Sequence, residues 1–353
     1  TRVIARDAQQ IYTGNNGGEA MSVYSDDFLK AIPKTDLHVH LDGSLRLSTL
    51  IELARAKGLE LPAWTEEGLR RTVFKDSYTS LDEYLKGFSL TGAVMDDASS
   101  VERIAYELAS DSFTEGVRYI EVRLAPQLHI RENFQFEQVM AAVAFRDAGG
   151  ARIVGFDIAG SERGYPASNH REAYEYAHRN FLHKTVHAGE AYGAESIFTA
   201  ITKCHADRIG HGLLLFSETD IADPDIVDRA KYVRDLANYI ADRRITVEVC
   251  LTSNMQTNPR FADIRNHSLA LMLEHGLSVT FCTDNRLVSN TSVCSELRLA
   301  LDNFRISASR FKDIVIYGFK RSFRFGSYAD KRTYVRSCID WYEKVAREHG
   351  VEY

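Results

Sequence analysis

The chain has 353 residues, 44% of them hydrophobic and 26% charged, with a net charge of -6 at pH 7. This is the composition of an ordinary soluble globular protein; the acidic balance leaves no footprint for nucleic acid, and no apolar run reaches the length of a membrane span. Five cysteines, odd in number and without a CxxC pair, argue against a disulfide framework and for reduced thiols in a cytoplasmic protein without a secretory signal.

Residues 1–25, which include the polar and glycine-rich "YTGNNGGEA", are expected to form a flexible tail. Residues 26–353 show no linker, repeat or low-complexity stretch and read as a single domain.

The first strong signal is "KTDLHVHLDGS" at 34–44. In an extended strand, alternate side chains share a face. Asp36, His38, His40 and Asp42 would line one side, and Leu37, Val39 and Leu41 would face helices on the other. After it comes a long segment, 44–116, expected to form helices that cover the site. Within it "STLIELARAKG" places Leu50, Ile51, Ala54 and Lys57 at helical spacing, with Gly58 to end the helix. "SVERIAYELASDSF" repeats that period through Val101, Ile104, Leu108 and Phe113.

Further short β-branched runs follow at 119–124, 153–158, 184–187, 208–211, 246–250 and 278–283, separated by helical patterns. Alternating strands and helices mean either a parallel barrel or a doubly wound sheet. The strand ends decide between them. "HLD", "RLAP", "DIAG", "HAGE", "IGHG", "CLTSN" and "CTDN" all carry polar or charged groups, and only a barrel gathers every strand C-terminus at one mouth. The predicted fold is therefore an α/β TIM (β/α)8 barrel, with additional helices after the first strand and at the C-terminus.

An H-x-H on a strand puts two imidazoles within reach of one metal, but alone it is a weak signal. His187 in "VHAGEAYG", His211 in "RIGHG" and Asp284 in "CTDN" each end another strand. One strand-end histidine is most often a hydrogen-bonded core residue; several converging at one mouth are not explained that way. Three histidines and an aspartate suit zinc and leave a position for water. Glu190 and His211 are then the groups available to orient that water and move its proton. The chain lacks a P-loop, an HExxH and a GxSxG elbow. It also lacks the PCxxC of cysteine-ligated nucleobase deaminases, and "IVGFDIAG" carries no lysine to bridge two metals.

Together "KTDLHVHLDGSLR", "GFDIAGSE", "VHAGEAYG", "RIGHG" and "CLTSN…CTDN" resemble, in order, the motifs of the adenosine deaminases of the amidohydrolase superfamily, from about Phe28 to Phe325. The resemblance implies hydrolysis of adenosine or deoxyadenosine to inosine or deoxyinosine and ammonia, with one zinc per chain held by His38, His40, His187 and Asp284. It also implies that Glu190 protonates purine nitrogen 1, and that His211 positions and helps deprotonate the water, work that Asp284 shares. His40 contributes to the substrate site, Gly160 N–H meets purine nitrogen 3, and Asp42 holds the ribose 5′-hydroxyl. The implied partner is a small-molecule purine nucleoside, with no nucleic acid and no membrane, and nothing points to an oligomeric state.

Two departures from the family pattern stand out. Asn285 occupies the place of a second aspartate; its amide can still donate to purine nitrogen 7. Between "YIEVRLAP" and "IVGFDIAG" one helix, "FEQVMAAVAFRDAGG", replaces what in the family is a further strand and helix, so seven strands are counted instead of eight. The expectation is that the natural chain carries several dozen more residues between Ala141 and Phe145, with a backbone break there. The rival reading within enzymes is deamination of another 6-aminopurine, such as adenine or a modified nucleoside; a carboxylate at Asp42 disfavours a phosphate. A non-catalytic nucleoside-binding barrel would have no need of Glu190.

Overall fold

The computed structural model describes residues 24–125, 135–149 and 152–353. Helix α1 (Asp26–Ala31) leads into β1 (Lys34–His40). Five helices precede β2 (Val117–Arg123): α2 (Leu47–Lys57), α3 (Glu66–Thr72), α4 (Leu81–Leu85), α5 (Phe88–Ala93) and α6 (Ala98–Thr114). Then come α7 (Gln135–Asp147) and β3 (Gly155–Phe156), α8 (Arg171–Arg179) and β4 (His183–Ala188), α9 (Ala194–Lys203) and β5 (Arg208–His211), and α10 (Arg229–Arg243) and β6 (Thr246–Val249). Helices α11 (Leu251–Thr257) and α12 (Leu269–Glu274) precede β7 (Val279–Phe281), which α13 (Val293–Asn303), α14 (Ala308–Arg321) and α15 (Tyr328–Glu348) follow.

Local rules account for many of these boundaries. Helix α2 buries Leu50, Ile51 and Ala54 and stops at Gly58, whose φ of 65° closes the last turn. Helix α6 starts at Asp97, whose carboxylate accepts from Ser100 N–H. The expected tail lies outside the described residues except for its last two. Those two belong to the body: Tyr24 is buried and stacks on Phe28 at 5.6 Å, and Ser25 caps α1.

All strand pairs are parallel. Strands β3, β4, β5, β6 and β7 pair in sequence order, and β1 pairs with β2. The two sheets meet where His40 N–H donates to Asp284 O and Asp284 N–H donates to His38 O, each at 2.7 Å. Among the described residues the ring thus runs from β3 round to β2 and is open between β2 and β3. Seven strands are present among the described residues, as counted from the sequence, and β3 contributes only two residues to its ladder. The expected backbone break is not found. Helix α7 runs continuously through 141–145, with Val139 and Val143 buried against Ala173, Ala177 and Leu182. Among the described residues no further strand lies between β2 and β3.

The opening is partly filled from below. Phe323 lies against His183, with ring centroids 4.5 Å apart, and packs over the Arg208 guanidinium. Gly155 makes room for it, since a Cβ there would come within 2.9 Å of the Phe323 ring. Above it a cavity of about 1270 Å³ extends from His40 and His187 past Asp157 and Gly160 to Arg118, Arg324 and Tyr334.

A main core lies between the strands and the outer helices. A second cluster, from Val39 and Leu41 through α2–α6 to Leu287 and Val288, roofs the strand ends. The roof is pinned by Tyr84 Oη to Ser289 Oγ at 2.7 Å and by Ser161 Oγ donating to Asp82 at 3.1 Å. The expectation that 44–116 covers the mouth is therefore met.

Candidate active site

Strand β1 is buried along its whole length. Its alternation is less regular than the sequence suggests, because its register with β2 shifts between Asp36 and Val39. Leu37 consequently packs with Cys250 and Cys282 instead of the helices, while Val39 and Leu41 do face them. Asp36 does not join the histidines; it accepts from Thr283 N–H at 3.2 Å and Thr283 Oγ1 at 2.6 Å.

His38, His40, His187 and Asp284 converge from the ends of β1, β4 and β7, each offering an atom within 4.8 Å of the others. His40 Nε2 lies 3.4 Å from His38 Nε2 and 3.2 Å from His187 Nε2, and both β1 histidines are 3.4 Å from Asp284 Oδ1. Two donors bound tetrahedrally at about 2.0–2.1 Å from a zinc stand about 3.3 Å apart. His38 Nδ1 is 3.0 Å from Glu248 Oε2, and His187 Nδ1 faces Asp157 Oδ2 at 2.9 Å. The Glu248 carboxylate keeps the proton of His38 on Nδ1, so its Nε2 turns a lone pair to the centre. Lone pairs packed this closely call for a cation, and the donor set fits zinc.

The supporting carboxylates form a charged layer beneath the cluster that sequence reading did not assign. Arg123 donates to Asp157 Oδ2 at 2.7 Å and to Leu37 O at 2.9 Å, and also pairs with Glu248. Arg208 donates from Nε to Glu248 Oε1 at 2.6 Å, and Thr185 Oγ1 donates to the same oxygen at 3.0 Å. Burial alone would raise the Glu248 carboxyl; Arg123 and Arg208 hold it well below the carboxylate range. The visible signal was a glutamate inside the apolar strand "TVEVC" and an aspartate inside "GFDIAG".

Glu190 is buried, and burial, aided by the negative charge of Asp284, pushes its carboxyl up to about 8. That direction favours the protonated acid at neutral pH. Its Oε2 is 3.9 Å from His211 Nε2. His211 and Asp284 both adopt left-handed backbone conformations, with φ of 64° and 57°, a strained geometry typical of functional sites.

A hydrogen-bond relay fixes the His211 tautomer. Leu269 N–H donates to His267 Nδ1 at 3.0 Å, so neutral His267, held down to about 3 by burial, carries its proton on Nε2. That proton goes to Asn254 Oδ1 at 3.2 Å, which leaves Asn254 Nδ2 to donate to His211 Nδ1 at 3.0 Å. His211, kept neutral by burial, must then carry its own proton on Nε2.

The remaining site residues from the sequence lie around this centre. Gly160, with φ of 116°, lines the cavity beside His40 and His187. Asp42 is buried in the turn after β1. Next to it Gly43 meets Asn285 so closely that a Cβ would be 1.9 Å from Asn285 Oδ1. That buried oxygen has no hydrogen-bond partner among the described residues.

Comparison with known proteins agrees with this geometry. A family model described as adenosine deaminase matches residues 33–152 and 141–341. The adenosine deaminase of Mycobacterium leprae is 36% identical over 338 positions, covering 84% of this chain and 91% of that protein. Those positions take up only about 297 residues here, so about 40 positions of the relative face no residue of this chain. The two stretches of the family match overlap at 141–152, within and just after α7, which locates the missing unit. Among solved structures, an amidohydrolase from Burkholderia ambifaria with bound Zn superimposes with a TM-score of 0.77 at 18% identity, covering 97% of this chain and 99% of its own. Arabidopsis ADAL complexed with IMP superimposes with a TM-score of 0.72 at 26% identity, covering 92% and 99%.

Proposed function

Since the chain belongs to the adenosine deaminase family, we propose that it hydrolyses adenosine and deoxyadenosine at carbon 6 of the purine, giving inosine or deoxyinosine and ammonia. The observation that carries this reading is a zinc-type donor cluster with a buried glutamate, Glu190, at the same mouth, its Oε2 3.9 Å from His211 Nε2. His38, His40, His187 and Asp284 would hold one zinc. When bound, the metal supplies the Lewis acidity that brings a water's ionisation into the neutral range.

The protein's own groups do the rest. Glu190 donates its proton to purine nitrogen 1, which draws electrons from carbon 6 and readies it for attack. Neutral His211 presents Nε2–H and so orients the attacking water as a donor. That leaves Asp284, ionised among histidines, as the proton acceptor; the sequence reading had divided this work between the two. Gly160 N–H meets nitrogen 3, the Asn285 amide nitrogen 7, and Asp42 the ribose 5′-hydroxyl, with His40 at the edge of the substrate. The roof of α2–α6 covers the mouth above the reacting base.

None of the described helices is long and apolar enough to cross a membrane. The five cysteines are free thiols, which supports a cytoplasmic enzyme acting on a small molecule.

The test is the ultraviolet spectrum of adenosine incubated with metal-assayed protein and with chelator-stripped protein. Conversion to the inosine spectrum that stops on stripping and returns with zinc is the expected result. Bound zinc with no spectral change would overturn adenosine as the substrate.

A further inference from the structure

Two residues beyond Gly160, in the loop after β3, Glu162 is buried with its carboxylate turned into the loop after β4. It accepts from four consecutive backbone N–H groups. Gly189 donates to Oε1 at 3.0 Å, and Glu190, Ala191 and Tyr192 donate to Oε2 at 3.0, 2.6 and 3.2 Å. Ser196 Oγ donates to Oε1 as well. Five donors saturate a carboxylate. The same two loops are tied once more, where Gly164 N–H donates to Tyr192 Oη at 2.8 Å.

The surroundings make this tether consequential. Strand β3 is an edge strand whose ladder to β4 is only Gly155–His183 and Phe156–Lys184. Those pairs lie at the start of β4, away from the reacting end. Strand pairing therefore does little to set the loop carrying Gly160 against the loop carrying Glu190. We propose that Glu162 is the positioning residue that does so: its carboxylate fixes the backbone of Glu190, and with it the reach of the acid, in register with the N–H of Gly160 at the other side of the purine. This rests on the deaminase reading above.

A misplacement of about 1 Å costs about 10²-fold in rate, which sets the size of the expected effect. Glu162→Ala should keep one zinc per chain, because the ligands sit on β1, β4 and the end of β7. It should lose about 10²-fold in kcat, with a smaller change in KM, and the amides of residues 189–192 should exchange at least about tenfold faster with deuterium. Glu162→Gln keeps one acceptor oxygen and should fall between the two in both readouts. If Glu162→Ala does not fold, the glutamine variant carries the test alone. Parent-like exchange at 189–192 would overturn the tether, and kcat lost only in proportion to lost zinc would overturn the positioning role. A parent protein that leaves adenosine intact would overturn the substrate reading, and the exchange comparison would still decide the tether.

Discussion

Arg123 Nη1 lies 2.7 Å from Asp157 Oδ2, and this ion pair spans the opening in the ring of strands. Arg123 ends β2 and Asp157 follows β3, the two strands with no partner between them among the described residues. The same guanidinium holds Glu248, so one cation steadies both carboxylates that face the ligating His187 and His38. Replacing it with methionine leaves two buried carboxylates short of a counter-charge. Arg123→Met should cost about 3–5 kcal/mol of stability and weaken zinc affinity about 10- to 100-fold. Thermal melts of chelated protein and zinc titration against a competing chelator measure the two effects separately. A lower melting temperature with parent zinc affinity would mean that the clamp supports the barrel and not the ligands.

Glu190 is an acid only while it holds its proton. Its carboxyl, raised by burial to about 8, is protonated below that pH and ionised above it. Activity should therefore be insensitive to this group across neutral pH. It should then decline on the alkaline side with a midpoint near 8, falling about tenfold per pH unit beyond it. Glu190→Gln should keep zinc and nucleoside binding and lose about 10²–10⁴-fold in kcat. A pH–rate profile of parent and variant checks both, and near-parent kcat in the variant would remove Glu190 from the chemistry.

Much of this was legible in the sequence because it is written locally. Each of the seven β-branched runs became a strand, and the ends carrying His40, His187 and Asp284 came together at one mouth, since period-two and period-3.6 patterns register over a few residues. The charged layer was not legible. Arg123 and Glu248 are 125 residues apart, and Arg208 and Glu121 are 87 apart, so neither member announces its partner by spacing. The register shift in β1 was hidden for a similar reason: pairing with β2, not the strand's own pattern, moves Leu37 inward. The missing unit was recognised from its absence, but a continuous α7 took the place of the expected break.

The opening itself makes a prediction. Val122 and Leu124 beside it are 47% and 38% exposed, and β2 and β3 each present an unpaired edge, the kind of surface that invites association between chains. Inserting between Ala141 and Phe145 the roughly 40 positions of the M. leprae relative that face no residue of this chain within the aligned region should supply the absent strand and its helix. The graft should raise the melting midpoint by about 5 °C or more, given about 2–4 °C per kcal/mol in larger domains, and reduce light scattering on heating. An unchanged or lower midpoint would show that Phe323 and the Arg123–Asp157 pair already close the wall well enough.

Asp42 separates the nucleoside reading from its rivals. It is buried in a turn that cannot drift, because Gly43 O accepts from Leu287 N–H at 2.9 Å and from Val288 N–H at 3.3 Å. A carboxylate fixed there can hold a 5′-hydroxyl, a charge-assisted bond worth about 1.5–3 kcal/mol. Asp42→Ala should accordingly raise KM for adenosine by about 10- to 100-fold and leave 5′-deoxyadenosine, which has no such hydroxyl, close to its parent value. A 5′-phosphate meets the same carboxylate as a like charge, so the variant should also narrow the gap between adenosine and its 5′-monophosphate. Steady-state kinetics on the three substrates decide the matter. Equal losses on adenosine and 5′-deoxyadenosine would take Asp42 out of the ribose site, and parent activity that is higher on the monophosphate than on adenosine would move the substrate from nucleoside to nucleotide.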